Sequence, residues 1–133
     1  MLMALFIPMI PVILTGLHES GWASWDWVTA FVYAPASGIA QELYFRSALL
    51  PTFERALGRR YLALIISSLL FSLFHVGMFK VAPVGAAFSA LGVTFVVGLG
   101  WGWQVQRDRT VLWAMIHHSL LQIILRMFTW ATT

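Results

Sequence analysis

The sequence predicts an all-α, polytopic transmembrane helix bundle of about five membrane segments. Three observations lead there. Hydrophobic residues make up 60% of the 133 residues and charged residues only 10%, against about 25% charged in soluble domains. The apolar residues fall in long runs separated by short polar connections. The few ionisable residues inside those runs sit at helical spacing. A span needs about 20 apolar residues, so the length suits a single membrane domain over 1–133.

Taken in order, the first segment is 2–17, interrupted by Pro8 and Pro11 and therefore kinked. It reads as a tilted span, a re-entrant piece or the end of a longer helix. His18 to Trp27 reads as an interfacial loop with tryptophan anchors, and Ser24 or Asp26 can cap the next helix. The second span is 27–50, with Pro35 in its middle predicting a kink ahead of Gln41 and Glu42. Pro51 opens a polar connection containing Glu54, Arg55, Arg59 and Arg60. The third span is 61–79, closed by a turn at Lys80–Pro83. The fourth is 84–105. Its small residues repeat every four positions, as in Gly98 and Gly102, a spacing that lets helix backbones approach closely. Gln106–Arg109 reads as a tight polar turn, and the fifth span is 111–130.

Positive charges alternate between connections. Arg55, Arg59 and Arg60 lie after the second span and Arg107 and Arg109 after the fourth, so loops 51–60 and 106–110 are expected to face the cytoplasm. The N-terminus then lies inside and the C-terminus outside. The N-terminus has no basic region of the kind that opens a signal peptide. A net charge of +3, spread thinly, gives no footprint for nucleic acid. The absence of cysteine excludes disulfides and thiolate metal sites.

A charge at the centre of a bilayer costs about 2.5–3.5 kcal/mol on insertion scales. Charges there must pair, line a polar cavity or do chemistry. Six ionisable residues fall within the spans: Glu42, Arg46, His75, His117, His118 and Arg126. Arg126 is near a span end and can snorkel to the interface. Glu42 and Arg46 are four residues apart and share a helix face, as a buried ion pair or as part of a site. His117 and His118 point about 100° apart, so one of them is expected to face a common cavity. A hydrogen bond to a neighbouring backbone would account for His75 alone. Taken together, spans two, three and five bring a carboxylate, an arginine and imidazoles toward one polar cavity. That set supports water activation and oxyanion stabilisation. The competing arrangement is a metal site, with His75, His118 and Glu42 as two imidazoles and a carboxylate, or a metal- or pigment-handling protein with His75, His117 or His118 as ligands. No H-E-x-x-H motif is present.

Three motifs in order carry a resemblance. The first is Gln41-Glu42-Leu43-Tyr44-Phe45-Arg46, the second Phe71-Ser72-Leu73-Phe74-His75 and the third His118-Ser119-Leu120-Leu121-Gln122. With Phe45-Arg46-Ser47, they resemble the CAAX-processing and bacteriocin-processing (CPBP, or Abi) intramembrane proteases, of the CAAX prenyl protease 2 type. Their motifs are E-E-x-x-x-R, F-x-x-x-H and H-x-x-x-N/D, and the likeness covers about residues 30–125. The resemblance implies a membrane-embedded glutamate-type endopeptidase that uses no cofactor or metal. Its substrate would be a membrane-associated peptide or lipidated protein. In the family the first glutamate activates the water and the first histidine assists. The last histidine, with its Asn or Asp, holds the water or the oxyanion. Carried over, Glu42, Arg46, His75 and His118 match. Gln41 stands at the base position, where an amide cannot accept a proton. Gln122 stands at the Asn or Asp position, one methylene longer. Three explanations stay open: an engineered loss of the base, a natural member that has lost proteolysis, or Glu42 as base in a shifted geometry. Family members usually carry further helices ahead of the first motif. Two functions from different classes result. One is the endopeptidase. The other is a non-catalytic pseudoprotease subunit packing against other transmembrane subunits in a larger complex.

Overall fold

The computed structural model describes residues 27–80 and 82–131. The expected first segment, the loop after it and the candidate caps Ser24 and Asp26 lie outside the described residues. Among the described residues all regular structure is helical. A π-helical segment, Thr29–Tyr33, runs into α1, Ala34–Glu42; a second, Leu43–Leu49, runs into α2, Leu50–Leu57. Then come α3, Arg60–Leu73, a 3-10 turn at Val76–Lys80, α4, Val84–Asp108, and α5, Leu112–Ala131. Among the described residues, two stretches, Arg60–Lys80 and Val84–Asp108, are long and apolar enough to cross a membrane.

Both π segments end two residues before a proline, Pro35 and Pro51. A proline ring collides with the carbonyl four residues earlier and offers no N–H to it. Widening the preceding turn to i→i+5 pairing accommodates both problems. The N–H of Ala34 reaches Thr29 O, and that of Leu50 reaches Phe45 O. The helix therefore continues through Pro51 to Leu57, where a polar connection was expected. It stops at Gly58, in the left-handed conformation, whose N–H bonds Glu54 O.

The expected third span, 61–79, falls within the apolar stretch Arg60–Lys80, whose α-helical part ends at Leu73. Beyond it His75 N bonds Ser72 O and Met78 N bonds His75 O, the tighter three-residue pairing. The fourth helix runs to Asp108 with Gln106 buried, where a polar turn was expected. Its hydrogen bonds explain why. Gln106 Nε2 donates to Glu54 Oε1 (2.5 Å) and to Arg60 O (3.0 Å), and its Oε1 accepts from Arg60 Nε (3.3 Å). One buried amide thus joins the ends of α2, α3 and α4.

The chain divides into two compact units. One comprises Glu42–Ala114, and the other Met1–Gln41 with Met115–Thr133. In the first, the polarity of α3 runs opposite to that of a soluble helix. Its buried face carries Ser67, Ser68 and Ser72 beside Leu64 and Phe71. Leu62, Ile65, Leu69 and Leu73 are exposed. A water-soluble domain would bury that leucine stripe; a helix in lipid presents it outward. Two of these three serines have backbone partners across the packing, while Ser68 Oγ is buried with no hydrogen-bond partner among the described residues. Ser67 Oγ donates to Phe45 O (3.2 Å) and Ser72 Oγ to Leu91 O (2.7 Å). Helices α3 and α4 pack closely at Gly98 and Gly102. A Cβ at Gly98 would lie 3.1 Å from Phe71 Cδ1 and 3.2 Å from Arg46 Nη2. One at Gly102 would strike Leu64 Cδ1. Leu50, Ala63 and Leu64 form the apolar core beside this contact, with Phe53 and Leu99 against it.

Candidate active site

Apart from Gln41, the residues of the first two motifs lie within the Glu42–Ala114 unit. Glu42 is fully buried and Arg46 is 2% exposed. Arg46 Nε meets Glu42 Oε2 at 3.3 Å. Nη2 donates to the backbone carbonyl of Gly98 at 3.2 Å. The guanidinium lies over the Phe71 ring, 4.1 Å from its centroid. A desolvated arginine on an aromatic face gains about 2 kcal/mol. Nη1 has no hydrogen-bond partner among the described residues. Gly98 is therefore an essential part of this arrangement. Its missing side chain makes room for the guanidinium, and its carbonyl receives one of the donors.

Phe71 explains why an aromatic residue belongs four positions before His75. It is 1% exposed and is a wall shared by both motifs. Arg46 covers its face, Phe45 meets it edge-on with centroids 5.3 Å apart, and His75 packs against it at 5.0 Å. His75 is half-buried at the end of α3, and its Nδ1 is 2.9 Å from Phe71 O. A carbonyl oxygen only accepts, so Nδ1 carries a proton, and in the neutral imidazole Nε2 is the acceptor nitrogen. An imidazole in that tautomer can accept a hydrogen bond or a proton at Nε2.

The other unit holds Gln41 and the third motif. Gln41 is half-buried. Its Nε2 donates to Ser37 Oγ at 3.0 Å, and its Oε1 is buried without a hydrogen-bond partner among the described residues. His118 is 3% exposed. The Gln122 amide nitrogen lies 3.3 Å from His118 Nε2, one turn along α5. An amide nitrogen only donates, so with the amide so oriented His118 Nε2 accepts and Nδ1 carries the proton. The longer Gln122 side chain thus makes a contact with the motif histidine. His117 is also buried, at 6% exposed, rather than facing lipid. α1 and α5 pack at Gly38, where a Cβ would lie 3.1 Å from Ser119 N. Ser119 Oγ donates to Pro35 O at 3.2 Å. Arg126 is exposed on the last turns of α5.

Among the described residues no group of three or more His, Asp or Glu side chains is placed to hold a metal ion. Sequence reasoning missed Gly98 and Gln106. Gly98 had a signal in the four-residue spacing of small residues, though not in the role of its carbonyl. Gln106 had none, because a glutamine beside arginines and an aspartate looks like a solvated turn.

Residues 22–124 match the family model described as type II CAAX prenyl endopeptidase Rce1-like. No curated protein and no solved structure matches the chain.

Proposed function

Given that the chain belongs to the Rce1-like family of type II CAAX prenyl endopeptidases, a membrane-embedded family, we propose that it is built for glutamate-type hydrolysis of a peptide bond near the lipidated terminus of a prenylated protein. The observation that carries this reading is the interlocked first and second motifs. Arg46 is bound to Glu42, to the Gly98 carbonyl and to the Phe71 ring, and Phe71 in turn positions His75.

Each residue takes a role suited to its chemistry. Position 41 is the base position. Glu42 and Arg46 brace the helix that carries it. His75, with Nε2 as acceptor, assists the attacking water. His118, held by Gln122, steadies the water or the oxyanion. No metal or other cofactor has a part in this scheme. Gln41 cannot take the water's proton, so hydrolysis at a useful rate needs a carboxylate there. A positioned general base contributes about 10²–10⁴-fold.

The test is cleavage of a farnesylated peptide by the chain and by its Gln41→Glu variant, with release of the C-terminal tripeptide monitored by mass spectrometry. The expected result is a gain of about 10²–10⁴-fold in the variant. A second reading is favoured by the amide at position 41, which is hydrogen-bonded to Ser37. On that reading the chain is a non-catalytic subunit that packs against other transmembrane proteins. No cleavage by either form, together with a stable membrane complex that co-purifies with the chain, would favour it.

A further inference from the structure

A cavity of about 440 Å³ opens in the Glu42–Ala114 unit, and nothing in the roles assigned above uses it. Its polar wall is formed by Arg46, Ser47, Glu54, Gln106, Arg109 and Thr110. Arg46, the arginine that holds Glu42, and Thr110, in the turn that starts α5, both line it.

The charges in that wall favour an anion. Glu54 is the only carboxylate in it, and the Gln106 amide covers one of its oxygens. Gln106 in turn accepts from Arg60, so a guanidinium is coupled to that carboxylate. Arg107, which lies outside the wall, is paired with Asp108. Arg109 is exposed and has no charged partner among the described residues. Arg46 is buried in the wall, and its Nη1 has no hydrogen-bond partner among them. Thr110 Oγ1 accepts from Leu112 N (3.3 Å), which marks the first turn of a 20-residue helix. The start of a helix adds partial positive charge. Arg109 also has φ 57°, ψ 25°, and is the only described residue other than glycine with positive φ. Glycine is easier to hold in that conformation. The chain keeps a cation where a smaller residue would fold with less strain.

We infer that this cavity binds the free α-carboxylate at the C-terminus of the peptide substrate, with Arg109 as its principal partner. The inference rests on the endopeptidase reading. It makes Arg109 a specificity residue that selects chain ends over internal sequences.

The test uses the full chain in nanodiscs of purely zwitterionic lipid. Binding of a fluorescent farnesylated tetrapeptide is measured by anisotropy for the free acid and for its C-terminal amide. A charge-assisted hydrogen bond at such a site is worth about tenfold or more in affinity. The acid is expected to bind about tenfold more tightly than the amide. Arg109→Gln and Arg109→Gly should each remove that preference while leaving the amide unchanged. Arg109→Gly should do so with no fall in melting temperature, which separates lost recognition from lost folding. Glu54→Gln should tighten binding of the acid. Equal binding of acid and amide, or equal weakening of both by Arg109→Gln, would overturn the carboxylate site and leave the endopeptidase reading standing. Binding of neither peptide would overturn both.

Discussion

Arg46 and Arg107 are built from the same parts and do different work. Each pairs with a carboxylate and each lies over an aromatic ring, Phe71 for Arg46 and Trp103 for Arg107. The exposed pair has the better geometry. Arg107 makes two bonds to Asp108, at 2.6 and 3.0 Å. The buried pair is longer, at 3.3 Å. Distance alone would rank them wrongly. Water competes for every donor of Arg107, so that pair adds little. Arg46 is 2% exposed, so removal of one partner leaves a buried charge poorly compensated. Burial, and not the length of the contact, decides which pair the fold depends on.

The largest expected effect comes from breaking the buried pair. Glu42→Ala or Arg46→Ala should destabilise the protein by about 3–5 kcal/mol, read as a lower melting temperature in detergent. Replacing both residues, Glu42→Leu with Arg46→Met, should recover most of that loss, because no orphaned charge remains. If the double variant lost the sum of the two single losses, the two side chains would be contributing independently. Next in size is Gly98→Val. Its side chain would displace the guanidinium and press on Phe71, at about 1–3 kcal/mol for overpacking. Ser72→Ala removes the hydrogen bond to Leu91 O and should cost about 0.5–1.5 kcal/mol. The smallest effect is at the exposed pair. Asp108→Asn should leave the melting temperature unchanged within error at both low and high salt. A clear drop there would refute the contrast between the two arginines.

Much of this was legible in the chain itself. The helical fold could be read from composition. The pairing of Glu42 with Arg46 could be read from a spacing of four residues on a helix. Other features depend on geometry that no residue type announces. The π segments are responses of the backbone to Pro35 and Pro51, and a proline in a span signals only some distortion, not the form it takes. Gln106 is buried because Glu54 and Arg60 arrive from other helices to satisfy it, a fact that belongs to packing. The carbonyl of Gly98 is present at every residue of a helix. It becomes a ligand for Arg46 only where the missing side chain lets a guanidinium reach it.

The hydrolytic base and the assisting histidine can be tested most directly in one experiment. Release of the C-terminal tripeptide from a farnesylated peptide would be measured for Gln41→Glu and for Gln41→Glu with His75→Ala. Cleavage is expected with the first variant, and its loss by about 10²-fold or more in the second, with similar melting temperatures. Cleavage that persists undiminished without His75, or that is equally fast in the chain carrying Gln41, would contradict the roles given to both residues.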